Sequence, residues 1–250
     1  MNYFSALLVS PVPSEATSAQ QKAYVTYALS CYQDREITPS ITLLEFRSLV
    51  AAIGTTGLRT WEAALHLGNY LCFKKDLVQE KSVLELGAGT GYISVLCAKY
   101  LQASHVLSTD GSDEVVASLG TNFYLNGLQD SSLIEGKELK WGQALVGSEH
   151  PEWHGGRAVD LVLGADLTYG TGNLALLSTF GDLFELFPEV KIVLSATVRN
   201  ENTLKTFLDT CRSSKYMVER VDFDITPAKE QTGPFYSDLV PIDIYLITKP

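Results

Sequence analysis

A glycine-rich turn in the first half of the chain has the residue types and spacing expected of a ligand-binding loop. It reads Val83-Leu84-Glu85-Leu86-Gly87-Ala88-Gly89-Thr90-Gly91, a short apolar run with one acid and then three glycines at alternate positions. Glycine has no Cβ and adopts positive φ readily, so such a turn lets backbone amides approach a ligand closely. The helix predicted to follow presents its N-terminus, where free N–H groups and the helix dipole favour an anionic or carboxylate-bearing group.

Two acids make this signal more specific. Glu85 lies two residues before the first glycine, and Asp110 ends the next apolar run, His105-Val106-Leu107-Ser108-Thr109. An acid at the end of that strand is placed to accept hydrogen bonds from ribose hydroxyls. A nicotinamide-dependent oxidoreductase would also use glycines and an acid, but its loop reads Gly-x-Gly-x-x-Gly, and the second half of this chain has no evident hydride-transfer pair. We therefore disfavour that class.

A second candidate cluster follows a later apolar run, residues 159–164. There Asp166 and Tyr169 lie three residues apart, a pattern that strand periodicity does not explain. An amine must lose its proton before it acts as a nucleophile, and a carboxylate with a ring face can orient the amine and then stabilise the cation that forms. The pair predicts an acceptor pocket for an amine. The alternative is structural, with Asp166 capping the helix predicted near Asn173.

Two tryptophans are candidates for contacts with the same ligand. Trp141 is expected at the end of a strand, where its ring can stack beside an adenine, and Trp61 is expected at the start of the helix before the first strand, from which it can close over the ligand. Each has a structural alternative, Trp141 as a core residue and Trp61 in helix packing. Ser112, near Asp110, is better placed as a helix cap than as a ligand.

Alternating strands and helices are predicted along most of the chain, so these residues belong to an α/β fold. The expected strands are 82–86, 105–109, 138–141, 159–164, 191–197, 216–222 and 242–247; the expected helices are 18–29, one starting at residue 60, 92–101, 113–126, 174–187 and 201–211. Such alternation implies right-handed crossovers and a sheet covered on both faces. We predict a Rossmann-like, seven-stranded, mostly parallel sheet with an antiparallel edge, over residues 46–250, preceded by a short N-terminal helical appendage, residues 1–45.

Composition is that of an ordinary globular protein, with 46% hydrophobic and 19% charged residues. No apolar run approaches the roughly 20 residues that cross a bilayer, and the first ten residues lack the features of a secretory signal. The four cysteines and four histidines are scattered, which predicts no metal site and a reduced, cytoplasmic protein. The net charge of −10 disfavours direct nucleic-acid binding and suits either a basic protein partner or solubility alone.

The Glu-x-Gly-x-Gly-x-Gly loop resembles the cofactor loop of class I S-adenosylmethionine-dependent methyltransferases, and Asp166-Leu167-Thr168-Tyr169 resembles the Asp/Glu-x-x-Tyr/Phe motif of the seven-strand protein-lysine methyltransferases. The resemblance implies S-adenosyl-L-methionine as cofactor and protein-lysine methylation as activity. It places Asp166 and Tyr169 in the acceptor site. The residues assigned to the cofactor are Trp61, Glu85, Gly87, Ala88, Gly89, Gly91, Asp110, Gly111, Trp141 and Ala165.

Three further stretches look like the elongation factor 2 lysine methyltransferases: Gly54 to Leu65, Thr197-Val198-Arg199-Asn200-x-x-Thr203, and Pro234-Phe235-Tyr236. This narrower resemblance implies translation elongation factor 2 as substrate and partner of a monomeric enzyme. The 197–203 segment is expected to touch substrate or frame the acceptor pocket, although Asn200 is equally compatible with a helix N-cap. The alternatives are another protein substrate, such as a chaperone or a different translation factor, and a catalytically silent scaffold that binds the cofactor.

Overall fold

The computed structural model describes residues 21–30, 32, 39–46, 56–146, 153–168 and 172–250. Its strands are β1 (Lys22–Ala28), β2 (Ser40–Phe46), β3 (Ser82–Leu86), β4 (His105–Asp110), β5 (Ile134–Glu138), β6 (Leu161–Ala165), β7 (Lys191–Thr197), β8 (Met217–Val221) and β9 (Ile242–Thr248). Its α-helices are α1 (Glu62–Phe73), α2 (Tyr92–Lys99), α3 (Asp113–Leu125), α4 (Asn173–Leu186) and α5 (Glu201–Ser213). Two short 3₁₀ helices span Lys75–Leu77 and Ala228–Glu230.

Seven of the strands form one sheet in the order β5-β4-β3-β6-β7-β9-β8. The strands from β5 to β7 pair in parallel, whereas β9 is antiparallel to both β7 and β8. The chain order reverses at β3, which lies between β4 and β6, and ligands of open α/β sheets bind outside the carboxyl ends of the strands at such a point. The predicted seven-stranded sheet with an antiparallel edge is confirmed.

The central strands are apolar because both of their faces are covered. Within β3, Val83 belongs to a core cluster shared with α1, α2 and α3, whereas Leu84 belongs to a second cluster shared with α4 and α5. Each helix contributes one apolar stripe. Helix α5, for example, buries Leu204, Phe207, Leu208 and Cys211, at the i, i+3, i+4 and i+7 spacing of a single helix face.

The predicted N-terminal helix at 18–29 was wrong over the described part of that range. Residues Lys22–Ala28 form strand β1, which pairs antiparallel with β2 from Lys22↔Phe46 to Ala28↔Ser40. In β2 the side chains alternate, with Ile41, Leu43 and Glu45 buried. A period of two in segments rich in aromatic and β-branched residues is typical of strands. The division of the chain at residue 45 stays a prediction.

The side-chain amides of Asn122, in α3, and Asn126, just after α3, join this hairpin to the main domain. Asn126 accepts from Thr42 N at 3.1 Å and donates to Thr42 O at 2.7 Å, as a neighbouring strand would. Asn122 accepts from Leu44 N at 2.8 Å. Side chains therefore satisfy the N–H and C=O groups of Thr42 and the N–H group of Leu44, which covers this part of the strand edge.

The third strand of the sheet was predicted at 138–141 and lies instead at Ile134–Glu138. This strand is at the edge of the sheet, pairs only with β4, and buries a single side chain, that of Ile134. An edge strand with polar neighbours lacks an apolar run, so the hydrophobic pattern of the sequence did not place the bounds of β5 correctly. As a consequence Trp141 follows the strand by three residues rather than ending it.

His66 on α1 is fully buried. Its ring forms hydrogen bonds with Phe223, just after β8, and with Tyr236, in the loop before β9. Its Nε2 lies 3.2 Å from the carbonyl oxygen of Phe223, and its Nδ1 lies 2.9 Å from the hydroxyl of Tyr236. A carbonyl only accepts, so Nε2 carries the proton and Nδ1 accepts from the tyrosine. Burial lowers the pKa of His66 to about 4, against a weaker raising effect of the Phe223 carbonyl and the charges of Asp224 and Asp243.

Because the pKa of His66 is lowered, we predict that the folded protein loses stability in mild acid. Between pH 6.5, the ordinary pKa of histidine, and the folded value of about 4, the unfolded chain binds a proton that the folded chain does not. Stability therefore falls as the pH is lowered through this window, by roughly 3 kcal/mol in total. Urea unfolding of wild type and His66→Gln across the window measures it. Equal losses in the two proteins would assign the acid sensitivity to other groups.

Candidate active site

A cavity of about 620 Å³ lies at the carboxyl ends of β3, β4 and β6. Its volume falls within the range of roughly 300–1,000 Å³ usual for small-molecule sites. The cavity lies at the topological switch point of the sheet, as the strand order requires. Its lining includes Thr56, Gly57, Arg59, Thr60, Trp61, Glu85, Gly87, Ala88, Gly89, Thr90, Asp110, Gly111, Leu139, Lys140, Trp141, Ala165, Asp166, Leu167 and Arg199.

The glycine loop after β3 forms the floor of the cavity. Its backbone has positive φ angles and passes so close to neighbouring atoms that a Cβ would collide with them. Gly87 has a φ of +61°, and a Cβ there would lie 2.6 Å from Cδ2 of Leu167. Gly89 has a φ of +55°, and a Cβ there would lie 3.0 Å from the carbonyl oxygen of Gly57. Gly91 takes the position before α2 and is not among the lining residues, so its contact with a ligand stays a prediction.

Gly89→Ala should therefore distort the loop. An alanine at a φ of +55° against a backbone oxygen cannot relax by moving a side chain, so we expect a loss of about 1–3 kcal/mol in stability and weaker ligand binding. Thermal unfolding and calorimetry measure the two effects. Gly120→Ala is the matched control, since Gly120 is exposed in α3 with no atom within 4 Å of its added Cβ, and it should stabilise the helix by about 0.5–1 kcal/mol. Equal effects of the two changes would contradict the role assigned to Gly89.

Asp110, at the end of β4, faces the cavity beside this loop. Its Oδ2 accepts from Gly89 N at 3.1 Å and its Oδ1 accepts from Ser112 N at 3.0 Å. Burial raises the pKa of Asp110, and the backbone N–H groups of Ser112, Gly89 and Gly111 oppose that rise. The side chain of Ser112 caps no backbone group of α3, although Ser112 holds the N-cap position. The carboxylate therefore fixes the loop and has its remaining lone pairs available to a ligand.

Glu85 lies beneath the loop and is almost completely buried. It accepts a short hydrogen bond from the hydroxyl of Ser94 on α2. Burial raises the pKa of Glu85 to about 8, partly opposed by Ser94 and reinforced by the charge of Asp110. Burial therefore favours the protonated form of this side chain, which avoids two adjacent negative charges in the cavity wall.

The N-terminal hairpin reaches the cavity wall through Glu45, which sequence reasoning missed. Its Oε2 accepts from the backbone N and the hydroxyl of Thr60, at 3.0 and 2.5 Å, and its Oε1 accepts from Tyr27 at 2.7 Å. The hydroxyl of Thr60 in turn lies 2.7 Å from that of Thr90 in the glycine loop. The link joins residues distant in sequence, so no local pattern could have shown it.

Both tryptophans lie on the cavity wall, and their contact with a ligand stays a prediction. Trp61 takes the position before α1, donates from Nε1 to the carbonyl oxygen of Thr56 at 3.0 Å, and has the guanidinium groups of Arg59 and Arg199 each 5.2 Å from its ring. Trp141 lies close to Gly87 and is only half-buried, so its ring is available to the cavity. Neither tryptophan is a closed core residue.

Asp166, just past β6, is held by the end of β7. Its Oδ1 accepts from Thr197 N at 2.7 Å, and its Oδ2 accepts from Thr197 Oγ1 and from Arg199 Nη2, both at 3.0 Å. Its φ of +54° is uncommon for a residue other than glycine, although aspartate tolerates it better than most. The alternative in which Asp166 caps a helix was wrong, because its oxygens face β7 and the position before α4 belongs to Gly172.

The structure brings almost every predicted site residue to this one cavity. Asp110 ends β4 and Asp166 follows β6, the strands on either side of β3, so two carboxylates flank the glycine loop. Tyr169 lies outside the described residues, and its place in the acceptor site stays a prediction. Arg199 was not among the predicted site residues, although the segment 197–203 that contains it was. Asn200 does cap α5, accepting from Thr203 N at 3.1 Å.

Comparison with known proteins identifies a family and close relatives. A family described as lysine methyltransferase matches residues 48–214. The protein-lysine N-methyltransferase EFM3 of Chaetomium thermophilum is 51% identical over 98% of this chain, which spans 73% of that relative. The human protein-lysine N-methyltransferase EEF2KMT is 31% identical over 67% of this chain, which spans 53% of that relative.

Solved structures share the fold at low sequence identity. A SAM-dependent methyltransferase from Agrobacterium tumefaciens superposes with a TM-score of 0.57 at 16% identity, over 97% of this chain and 72% of the other. Within the described ranges, no helix has both the length and the apolar character to cross a membrane, and no cluster of potential metal ligands occurs.

Proposed function

Because the chain belongs to the lysine methyltransferase family, we propose that it methylates a lysine of translation elongation factor 2. It is a protein-lysine N-methyltransferase, and S-adenosylmethionine is its methyl donor. The choice of substrate is supported by the identity to human EEF2KMT and by the three stretches that resemble the elongation factor 2 enzymes. One observation carries the assignment of the site: the glycine loop, Asp110 and Asp166 line the same cavity.

The residues at the β3 and β4 ends fit the donor. Asp110 presents carboxylate lone pairs for the ribose hydroxyls, and the positive φ values of Gly87 and Gly89 bring the backbone to the cavity surface without a Cβ. Trp61 and Trp141 offer flat apolar walls, Trp141 for the adenine ring. When bound, S-adenosylmethionine supplies a methyl group activated by its sulfonium, so alignment is the main task left to the protein.

The residues after β6 provide the acceptor side. Asp166 is 9% exposed at the side chain and is fixed by two donors of Thr197, so its carboxylate keeps one orientation as substrate binds. It accepts a hydrogen bond from the incoming lysine, directs the amine lone pair and stabilises the methylated ammonium product. A strong base is unnecessary, because the lysine can bind as the ammonium and pass its proton to water before the amine attacks the methyl group. Tyr169 would add a ring face for the cation.

The charge of the chain supports a protein substrate rather than a nucleic acid. A net charge of −10 favours approach of a basic segment and opposes approach of phosphates. The enzyme would act as a monomer in the cytoplasm, where elongation factor 2 works.

The test is labelling of a lysate from cells lacking the endogenous enzyme, with purified protein and radiolabelled S-adenosylmethionine. One labelled band at the mass of elongation factor 2, absent with Asp166→Asn, is expected, and mass spectrometry then locates the lysine. A different single band would retain the methyltransferase and replace the substrate by a chaperone or another translation factor. Donor binding without any labelled protein would favour the silent scaffold.

A further inference from the structure

We propose that Arg199 is a gate on the acceptor site: its guanidinium occupies the position at Asp166 that the substrate ammonium takes, and the arriving lysine displaces it towards Trp61 and Glu62. The inference rests on the proposed role of Asp166 in the acceptor site. Arg199 is thus a positioning and selectivity residue. Its guanidinium pairs with Asp166 before substrate binds and moves away from Asp166 when the lysine arrives.

The ion pair spans the mouth of the cavity. Nη2 of Arg199 lies 3.0 Å from Oδ2 of Asp166; the arginine side chain is 50% exposed and the aspartate side chain 9% exposed. The carboxylate is therefore inside and the guanidinium outside. A lysine that enters from solvent meets the guanidinium before it reaches the carboxylate.

The carboxylate has little room for both cations. Oδ2 already accepts from Thr197 Oγ1 and from Arg199, and Oδ1 accepts from Thr197 N. A second cation beside the guanidinium would be repelled by it, because like charges within a few ångströms oppose each other. Exchange of one cation for the other keeps the charge balance and reuses the same oxygen.

In this one position the guanidinium of Arg199 also lies near two groups that can hold it once it leaves Asp166. The guanidinium carbon of Arg199 lies 5.2 Å from the ring of Trp61, and its Nη2 lies 4.0 Å from Oε2 of Glu62. The other oxygen of Glu62, Oε1, lies 3.4 Å from Arg59, so Oε2 remains for Arg199. Arg199 can leave Asp166 and remain paired with Glu62, so its displacement costs little free energy.

The decisive variant is Arg199→Gln, which keeps most of the side-chain stem and removes the charge. We expect the KM for the methyl-accepting protein to fall by about fivefold, the size of an exposed ion pair, with kcat little changed. Arg212→Gln is the matched control, because it removes the same charge from an exposed ion pair with Asp209, outside the cavity, and leaves Asp166 paired. An unchanged or raised KM in Arg199→Gln would overturn the gate, and so would an equal fall in Arg212→Gln.

A second measurement does not depend on the protein substrate. Saturation-transfer NMR with n-butylammonium, a mimic of the lysine side chain, should show binding about fivefold tighter to Arg199→Gln than to wild type. The double change Arg199→Gln/Asp166→Asn should abolish that binding. Equal binding to wild type and Arg199→Gln would reject the gate even if methylation proceeds. Failure of the proposed function appears separately, as the absence of a labelled band at the mass of elongation factor 2 in the lysate, whereas methylation that survives Asp166→Asn would overturn the gate by removing its premise.

Discussion

Asp166→Asn is expected to lower kcat by at least about 100-fold while leaving the affinity for S-adenosylmethionine unchanged. Asparagine tolerates the φ of +54° and can still accept from Thr197 N, so the backbone keeps its path. What is lost is the negative charge that orients the amine and stabilises the cationic product. Asp166→Ala should lose turnover as well and also be less stable, because alanine is strained there and Thr197 loses its acceptor.

Single-turnover methylation with labelled donor measures this effect, and calorimetry with the donor checks the affinity. Asp209→Asn is a suitable control, because Asp209 is an exposed acid of α5 whose carboxylate pairs with Arg212, outside the cavity. That control should keep the wild-type rate. A wild-type rate in Asp166→Asn would remove Asp166 from the mechanism.

Asp110→Ala is expected to weaken donor binding by about 1.5–3 kcal/mol, the range for hydrogen bonds to a charged group. Two losses combine. The ribose hydroxyls lose their acceptor, and the N–H groups of Gly89 and Ser112 lose theirs, at 3.1 and 3.0 Å. Because Gly89 belongs to the loop that forms the cavity floor, the alanine also removes a tie that holds the loop in its binding conformation.

Calorimetric titration with S-adenosylmethionine measures the loss directly. Asp113→Ala removes the same charge three residues along, from an exposed position in the first turn of α3 that does not line the cavity. Its donor affinity should match that of wild type. Equal affinities in Asp110→Ala and wild type would place the ribose elsewhere, and equal losses in both variants would make the effect one of net charge alone.

The features predicted well from the chain are those that depend on neighbouring residues. Strands β3 and β7 were predicted with the bounds found, because strands covered on both faces need continuous apolar runs. The glycine loop was recognised because its tight turn needs positive φ, which glycine permits at least cost. Asp110 followed from the same strand-and-turn pattern. These signals are local, so they survive without knowledge of the fold.

The features missed depend on contacts between distant segments. The hairpin β1–β2 was predicted as a helix; its stability comes in part from Asn122 and Asn126, about eighty residues further along the chain. Strand β5 was displaced because an edge strand with one buried side chain carries little pattern. Local propensity is a weak guide wherever tertiary contacts decide the conformation.

The charges of the proposed acceptor site also divide into features that the sequence indicated and features that only the tertiary structure determined. The chain alone indicated that Asp166 lies at a strand end and that Arg199 belongs to a segment near the substrate. Their pairing required the parallel register of β6 and β7, in which Ala165 lies opposite Ser195, so that the residues just beyond the two strand ends meet. Residue types thus revealed which chemistry is available, whereas strand register determined which charges neutralise one another, because Coulomb energy depends on distances in space and not along the chain.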